Sequence, residues 1–231
     1  MRGVRPSIPC YDKGSMVMKN REAFQTGLLN WYEENARDLP WRKTKDPYKI
    51  WVSEIMLQQT QVKTVIPYYE RWMKAYPGLR KLAAAPLSEV MKSWAGLGYY
   101  RRVRTLHEAA CVLVRDHRGK MPGTRDELLK VKGIGKYTAG AVASIAYGEK
   151  VPILDGNVIR ILTRLFAIED DIRSTKTQKK LWELAENLLP EKDLGDFNQA
   201  QMELGALICT PDSPSCRACP VSEWCQAHIR G

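Results

Sequence analysis

A chain of 231 residues is long enough for one or two domains with a hydrophobic core, because domains usually hold roughly 100–200 residues. Its 36 Lys and Arg exceed its 26 Asp and Glu by 10, which favours an anionic partner such as nucleic acid, an acidic protein or an anionic membrane surface. No apolar run approaches the length of a membrane span, and residues 1–19 lack the apolar segment of a secretory signal. We therefore expect an intracellular protein of the cytoplasm or nucleoid that does not associate with membranes.

In chain order, residues 1–20 hold Pro, Gly, Ser and basic residues without periodicity and predict a flexible basic leader. Apolar residues then recur at helical spacing in the segments 46–76, 87–117, 124–148 and 175–190. Pro67 predicts the start of a second helix within the first of these segments, and Gly96 to Gly98 predict a break in the second. Strand-like alternation is confined to short runs such as 150–154. The pattern predicts an all-α fold.

The sequence "LLKVKGIGKYTAG" at 128–140 predicts a helix, a glycine turn and a second helix. Gly133 and Gly135 allow positive φ and a close approach of another backbone. The free N–H groups at the start of the second helix, with Lys132 and Lys136 beside them, favour an anion. An ordinary turn between two helices is the alternative. Helix–hairpin–helix elements of this form bind DNA phosphates without reading sequence.

Two acidic residues stand in contexts that suit catalysis. Glu54 lies on a predicted helix with apolar neighbours, which predicts a desolvated carboxyl with a raised pKa, suited to a general acid. Asp155 follows an apolar segment and precedes a helix, so it is a candidate N-cap whose N–H partners lower its pKa and keep it ionised. A solvated Glu54 and a purely structural cap at Asp155 are the simpler alternatives. Together, an acid and an anion match the two-carboxylate logic of glycoside cleavage.

The cysteines are unevenly distributed. Cys10 and Cys111 stand alone, and the other four follow the spacing C-x6-C-x2-C-x5-C: Cys209, Cys216, Cys219 and Cys225. Four thiolates in one short, loop-rich segment can hold one metal centre, either zinc or an iron–sulfur cluster, and the spacing does not choose between them. Four unligated cysteines are the remaining alternative.

Several motifs in consistent order resemble the helix–hairpin–helix DNA glycosylase superfamily of the endonuclease III kind. The resemblance to the superfamily lies in the hairpin, in "ILDGNV" at 153–158 and in the cysteine tail. Three further motifs narrow it to MutY-type adenine DNA glycosylases: "LPWR" at 39–42, "WVSEIMLQQTQV" at 51–62 and "GLGYYRRVRTLH" at 96–107. The resemblance covers about residues 22–228.

This resemblance implies a six-helix barrel at 38–147, with its helix–hairpin–helix at about 128–146, and a cluster domain formed by 21–37 and 148–231, with DNA bound at their junction. It implies that the four tail cysteines hold a [4Fe–4S] cluster rather than zinc. Full-length members continue into a Nudix-like domain that recognises 8-oxoguanine, whereas this sequence ends six residues after Cys225. The chain is therefore expected to be either a catalytic core cut from a longer protein or a naturally short form. In both cases the discrimination between 8-oxoguanine and guanine stays open, and we expect weaker affinity for the lesion.

The resemblance also implies roles for single residues. Glu54 matches the acid that protonates adenine N7 and later helps to activate water, and Asp155 matches the carboxylate that stabilises the oxocarbenium-like sugar. Tyr137 and Asn157 match residues that position these carboxylates. DNA-binding roles are implied for the adenine pocket (Arg37, Trp41, Leu57 and Gln199), for entry into the base stack and its surroundings (Gln59, Tyr99 and Arg42) and for phosphate contact (Lys132, Gly133, Gly135 and Lys136). Leu39 is implied as a further substrate- or DNA-binding residue.

The residue at position 137 bears on strand cleavage. In bifunctional relatives a lysine at the position of Tyr137 attacks the sugar, and Lys136 is one residue early, about 100° away on a helix start. We therefore expect a monomeric, monofunctional glycosylase that flips adenine out of double-stranded DNA opposite 8-oxoguanine or guanine. The alternatives are a bifunctional pyrimidine glycosylase–lyase, a thymine-mismatch glycosylase and a non-catalytic cluster-containing DNA-binding module. Thymine-mismatch enzymes share the tyrosine but generally lack an acid at the position of Glu54.

Overall fold

The computed structural model of the protein describes residues 20–231, so the leader predicted for 1–20 lies outside the described residues apart from Asn20. The α-helices of this range are α1 (Arg21–Asn35), α2 (Pro47–Leu57), α3 (Val62–Ala75), α4 (Leu79–Ala84), α5 (Leu87–Ser93), α6 (Arg101–Asp116), α7 (Arg125–Leu129), α8 (Lys136–Tyr147), α9 (Gly156–Leu165), α10 (Thr175–Asn187), α11 (Leu194–Leu207) and α12 (Gln226–Arg230). Short 3₁₀ turns occur at Pro40–Arg42, Cys216–Ala218 and Ser222–Trp224. The described range contains no strand, which confirms the all-α prediction. None of its helices is both long enough and apolar enough to cross a membrane.

The chain divides into two compact units. The central unit is Arg37–Ile153 and contains α2 to α8, and the terminal unit combines the described residues up to Ala36 with Leu154–Gly231. The helix–hairpin–helix element therefore belongs to the central unit, and the four tail cysteines belong to the terminal unit.

The central unit is built around α2, which packs against α3, α6 and α8, while α4 and α5 pack on α6. Its core is rich in aromatic residues: Trp72 lies edge-on to Tyr76 and Trp94, with ring centroids 4.9 and 5.6 Å apart respectively. Tyr48 of α2 connects to these residues through its hydroxyl. The hydroxyl donates to the Tyr76 carbonyl at 2.7 Å and accepts from Trp72 Nε1 at 3.2 Å. These two hydrogen bonds tie Tyr48, in the first turn of α2, to the aromatic core of the unit.

One helix boundary in the central unit differs from the prediction. Pro67 lies inside α3 rather than at a helix start, because α3 already begins at Val62. The missing N–H of Pro67 leaves the carbonyl of Lys63, four residues earlier, without its helical partner near the start of the helix. The predicted break in the next segment is confirmed, since α5 ends at Ser93 and α6 begins at Arg101.

The terminal unit is built around α9 and α11. Helix α11 packs against α1 and α9, and α10 and α12 pack on α9. Phe24 of α1 lies edge-on to Phe197 and Trp224, with ring centroids 6.5 and 5.9 Å apart respectively. Gln25, also on α1, donates to the Leu188 carbonyl at 2.9 Å. The first described helix is thus held to the last third of the chain.

Candidate active site and nucleic-acid interface

The two glycines of the turn between α7 and α8 differ in backbone conformation. Gly133 has φ +97°, and a Cβ there would lie 2.2 Å from Thr105 Cγ2, so both its conformation and its surroundings require glycine. Gly135 does not have the positive φ that the sequence suggested. It is the N-cap of α8 with φ −88°, and a Cβ there would meet nothing within 4 Å. The fold itself therefore gives no reason for glycine at 135, and the α8 N-terminus is left open.

Two lysines flank this open helix end. Lys132 and Lys136 are both exposed, as the sequence suggested. The N-cap of α8 makes no side-chain hydrogen bond to the first turn. The positive end of the helix dipole and two exposed cations together form an arrangement that suits a phosphate group.

The hairpin also places Tyr137 against Glu54. Tyr137 is the second residue of α8, and its hydroxyl donates to Glu54 Oε2 at 2.5 Å, across a sequence separation of 83 residues. Glu54 lies on α2 and is only 5% exposed, which confirms its predicted buried surroundings. Lys136 precedes Tyr137 and remains exposed. The structure therefore joins a buried carboxyl to a phenol and leaves the neighbouring lysine in solvent.

The second candidate carboxylate caps a helix. Asp155 is the N-cap of α9, and its Oδ1 accepts from the Val158 N–H at 2.8 Å, which confirms the predicted cap. Its Oδ2 accepts from Asn157 Nδ2 at 3.0 Å. The pKa of Asp155 is nevertheless raised by burial, which outweighs the lowering by hydrogen bonds from Val158 and Asn157 and by the charge of Arg160. The predicted lowering was wrong in its net direction, because the desolvation of the cap outweighs its N–H partners.

Arg160 is a functional candidate that the sequence did not suggest. It donates from Nη2 to Asn157 Oδ1 and to the Gly205 carbonyl, both at 2.8 Å, and from Nε to the Cys209 carbonyl at 2.7 Å. Asn157 in turn donates to Asp155, so hydrogen bonds run from that carboxylate to the first tail cysteine. The spacing of three residues between Asn157 and Arg160 on one helix was the available indication.

A second arginine of α9 anchors the cysteine segment. Arg164 donates from Nη1 to Cys209 Sγ at 3.3 Å and to the Thr210 carbonyl at 2.6 Å, and from Nη2 to the Pro211 carbonyl at 2.6 Å. The carbonyl of the same residue accepts from Cys225 Sγ at 3.6 Å. Both ends of the segment are therefore fixed to α9 through one residue.

The four tail cysteines form no disulfides with one another, and they affect one another electrostatically. Burial raises the pKa of Cys219 to about 11, against a lowering by the Val221 N–H, and the charges of the other three cysteines raise it further. Burial likewise raises the pKa of Cys225, against N–H groups of His228 and Ala227. Within residues 20–231, no group of three or more His, Cys, Asp and Glu side chains is arranged to hold a metal ion. The donor chemistry still fits a thiolate-bound group, since these sulfurs receive N–H donors and a guanidinium.

Leu39 and the residues implied for the adenine pocket differ in exposure. Leu39 and Trp41 are buried in the central unit, where Trp41 lies edge-on to Tyr69 with ring centroids 5.3 Å apart. Leu57 is half-buried at the end of α2. Gln199 is buried in the terminal unit and donates to Asp196 at 3.2 Å.

Arg42 and Arg37 are neighbours. Arg42 Nη1 donates to the carbonyl of Arg37, five residues earlier, at 3.1 Å. The "LPWR" segment is thus folded back on the residues that precede it. Arg42 therefore has a structural contact of its own, and the DNA-binding role that the resemblance implies would be additional to it.

The residues implied for the base stack stand out by their backbone. Gln59 and Tyr99 have φ +56° and +49°, a region that bulky side chains rarely adopt. Both are exposed, and 59% of Tyr99 is accessible. Backbone strain at exposed residues is typical of functional positions, where the surrounding structure enforces it.

The fold and the hairpin define an all-α helix–hairpin–helix protein. Residues 52–187 match the family model described as HhH-GPD superfamily base excision DNA repair protein. The chain belongs to this superfamily, as the motifs predicted.

Curated relatives share the name "Adenine DNA glycosylase". The protein of Rattus norvegicus is 50% identical over 217 residues, which cover 90% of this chain and 42% of that protein. The protein of Buchnera aphidicola subsp. Schizaphis graminum is 42% identical over 206 residues, 89% of this chain and 59% of that protein. The chain thus spans roughly two-fifths to three-fifths of the length of these relatives.

Solved structures agree with the fold. A thermostable thymine-DNA glycosylase is 34% identical, with a TM-score of 0.83 over 91% of this chain and 97% of that chain. Endonuclease III in a trapped covalent intermediate with DNA is 21% identical, with a TM-score of 0.75 over 92% of this chain and 99% of that chain. At this lower identity the second structure supports the fold alone.

Proposed function

We propose that this chain is a monofunctional glycosylase that hydrolyses the N-glycosidic bond of adenine mispaired with 8-oxoguanine or guanine in double-stranded DNA, acting as a monomer. The shared name of the relatives supports adenine as the base. The observation that carries the proposal is the buried Glu54 carboxyl held by the Tyr137 hydroxyl at the start of the hairpin's second helix. This pair supplies an acid where a lyase needs a nucleophilic amine.

Glu54 is the proton donor in this proposal. A carboxyl that is 5% exposed has lost most of its hydration, which favours its neutral form, whereas the Tyr137 donor favours the charged form after the proton has left. Transfer of the proton to adenine N7 turns the base into a neutral leaving group, and the resulting carboxylate then accepts a proton from the attacking water. Tyr137 thus positions the acid and does not react with the sugar.

Asp155 is the anion that stabilises the sugar as the base departs. The Val158 N–H and the Asn157 amide fix its two oxygens, so the carboxylate needs no reorganisation when positive charge develops on the sugar ring. The burial that raises its pKa also strengthens its interaction with a nearby cation, because the local dielectric constant is low. The cap is therefore also the catalytic carboxylate.

The hairpin and the strained residues hold the DNA. We assign a backbone phosphate to the open N-terminus of α8, with Lys132 and Lys136 beside it, since the net charge of +10 and the unfilled space at Gly135 support an anionic backbone there. Gln59 and Tyr99 are assigned to the base stack next to the flipped adenine. Extrusion of the base is required because its reacting atoms are inaccessible inside the duplex.

Cys209, Cys216, Cys219 and Cys225 are the proposed ligands of a [4Fe–4S] cluster. Such a group would bind the four sulfurs as thiolates and hold the tail segment in a fixed form. Iron analysis together with visible absorbance of the purified protein tests this: broad iron–sulfur absorption is expected. A colourless protein that carries one zinc ion would contradict the assignment.

Single-turnover excision tests the proposed activity. Duplexes with adenine opposite 8-oxoguanine, guanine or thymine are analysed with and without alkali and after borohydride trapping. We expect strand breaks at adenine only after alkali, and no trapped adduct. A trapped adduct would contradict the role of Tyr137, and intact adenine in every duplex would contradict the substrate.

A thymine-mismatch glycosylase is the second candidate. It is favoured by the 34% identity to a thymine-DNA glycosylase that this chain matches over 97% of that chain. A duplex with thymine opposite guanine in the same assay separates the two. Release of thymine that survives Glu54→Gln would identify this second activity, because thymine departure does not use the acid proposed for adenine.

A further inference from the structure

One partly buried arginine of the central unit contacts both strained turns. Arg102 lies on α6, three residues after Tyr99. Nη1 donates to the carbonyls of Ile55 and Met56 at 2.9 Å each and to the carbonyl of Gln58 at 2.5 Å. These carbonyls belong to the last turn of α2 and its C-cap, which have no helical partners of their own.

The other nitrogen of Arg102 reaches further along both turns. Nη2 donates to Thr60 Oγ1 at 3.1 Å, to the Leu97 carbonyl at 3.5 Å and to the Gly98 carbonyl at 3.3 Å. Gln59 thus lies between two residues bound by one guanidinium, and Tyr99 directly follows a residue bound by the same group. A single planar group therefore fixes the two left-handed residues at once.

Aromatic rings complete the surroundings of this guanidinium. Its carbon lies 5.3 Å from the ring centroid of Trp94 and 5.3 Å from that of Tyr99. Trp94 Nε1 also donates to the Gly98 carbonyl at 3.0 Å, so the second turn is bound from two sides. Burial lowers the pKa of Arg102 from its ordinary value, and the carbonyl oxygens and ring faces offset this desolvation.

We propose that Arg102 is a positioning residue that holds the Gln59 and Tyr99 turns in their left-handed conformations, ready to enter the DNA stack beside the target base. This rests on the proposed function. Neither left-handed residue is glycine, so the conformations persist only where the surrounding structure enforces them. Turns that are formed before DNA arrives avoid the entropy cost of ordering them on binding.

Lysine cannot replace this arginine. The contacts radiate from two nitrogens of a rigid fork to acceptors on two chain segments, whereas an ammonium is a single point with three N–H donors. Arg102→Lys keeps the positive charge but loses the set of hydrogen bonds that links the two turns. Arg104→Lys is the matched control, since Arg104 is exposed on the same helix and undergoes the same chemical change.

The first measurement compares these two variants in single-turnover excision of adenine opposite 8-oxoguanine. Arg102→Lys is expected to reduce the rate by about 10- to 100-fold, because small displacements of positioning groups cost up to about 100-fold. Arg104→Lys is expected to stay within about threefold of the parent protein. The parallel readout is fluorescence of 2-aminopurine beside a 2′-fluorinated, uncleavable target, which rises when the stack opens. Arg102→Lys is expected to lose most of this rise.

A double-mutant cycle separates positioning from general stability. The second background is the double variant Gln59→Gly with Tyr99→Gly, which lacks both side chains. Glycine adopts the left-handed conformation at both positions with little cost in free energy. If Arg102 acts through these two residues, Arg102→Lys changes excision by less than about threefold in that background. The same fold-loss in both backgrounds would overturn the proposal.

Thr60→Val covers the case in which Arg102→Lys does not fold. It removes one acceptor of the guanidinium at nearly constant volume, and we expect a decrease of about threefold in the parent background and none in the glycine background. An equal effect in both backgrounds again contradicts the inference. If the unmodified protein releases no adenine, the proposed function is overturned. If it releases adenine but Arg102→Lys causes the same fold-loss in both backgrounds, only the role of Arg102 is overturned.

Discussion

The two candidate carboxylates are held in different ways. Glu54 accepts from a side chain that is 83 residues away in the sequence, on a different helix of the central unit. Asp155 is fixed by its own next turn, through the Val158 N–H and the Asn157 amide. Glu54 is buried and Asp155 is half-buried, and main-chain, amide and guanidinium groups favour the charged form of Asp155.

This difference matches the two tasks proposed for them. A proton donor must be able to exist in its neutral form, and the burial of Glu54 favours that form. An electrostatic stabiliser must remain an anion, and N–H donors together with Arg160 counter the burial that would neutralise it. Glu54→Gln removes the proton donor and leaves the anion at position 155, whereas Asp155→Asn removes the anion and leaves the proton donor.

The largest expected effect comes from Glu54→Gln. The amide keeps the shape of the side chain but cannot deliver a proton, so single-turnover excision of adenine should fall by about 10²–10⁴-fold or below detection. Binding to the uncleaved duplex, measured by gel shift, should change little. Glu70→Gln on the exposed face of α3 is the matched control and should excise at the parent rate. Excision by the Glu54→Gln protein at a comparable rate would remove Glu54 from the mechanism.

The next effect separates the cap from the anion at position 155. Asp155→Asn retains a good N-cap and loses the charge, so excision should fall by about 10²–10³-fold while the melting temperature does not fall. Asp155→Ala loses both, and its unfolding free energy should drop by about a further 1 kcal/mol. Thermal unfolding and excision are measured on the same samples. Nearly full excision by the Asp155→Asn protein would mean that position 155 is only structural.

A smaller effect concerns pH. The pKa of Asp155 is raised in the folded state, so between its unfolded and folded values the folded protein binds more protons, and this residue lowers stability as pH rises through that window. Asp155→Asn removes this loss of unfolding free energy. The difference in unfolding free energy, variant minus parent protein, should therefore be more favourable at neutral pH than at pH values below the folded pKa of Asp155. Denaturant unfolding at several pH values checks the sign, and a difference that grows on acidification would contradict it.

The sequence predicted the local features and missed those that depend on packing. Short-range patterns predicted the helices in the segments 46–76, 87–117, 124–148 and 175–190, the break between α5 and α6 and the cap at Asp155. The structure confirms these features except for the helix start at Pro67. Tyr137 and Glu54 were linked only through the family resemblance, since nothing in local spacing joins residues so far apart. The net pKa direction at Asp155 was wrong because burial depends on the whole terminal unit.

Two arginines show most clearly what the sequence could not contain. Arg102 and Arg160 lie on amphipathic helices like many solvated arginines, and their main acceptors are backbone carbonyls of distant segments. Every residue type offers the same backbone carbonyl, so no residue pattern marks these acceptors. The functional importance of such residues becomes apparent only when the chain is folded.

The smallest expected effect distinguishes the two hairpin glycines. Gly135→Ala should leave thermal stability almost unchanged, because its φ is −88° and a Cβ there meets open space. It should weaken duplex binding by a few fold, about 1 kcal/mol or less, because the added methyl group lies where a phosphate is proposed to approach the α8 N-terminus. Gly133→Ala should instead lower stability, since it combines φ +97° with a clash against Thr105. Gel-shift titrations beside melting curves compare the two, and a Gly135→Ala protein that melts early but binds DNA normally would place the requirement for glycine inside the fold rather than at the DNA.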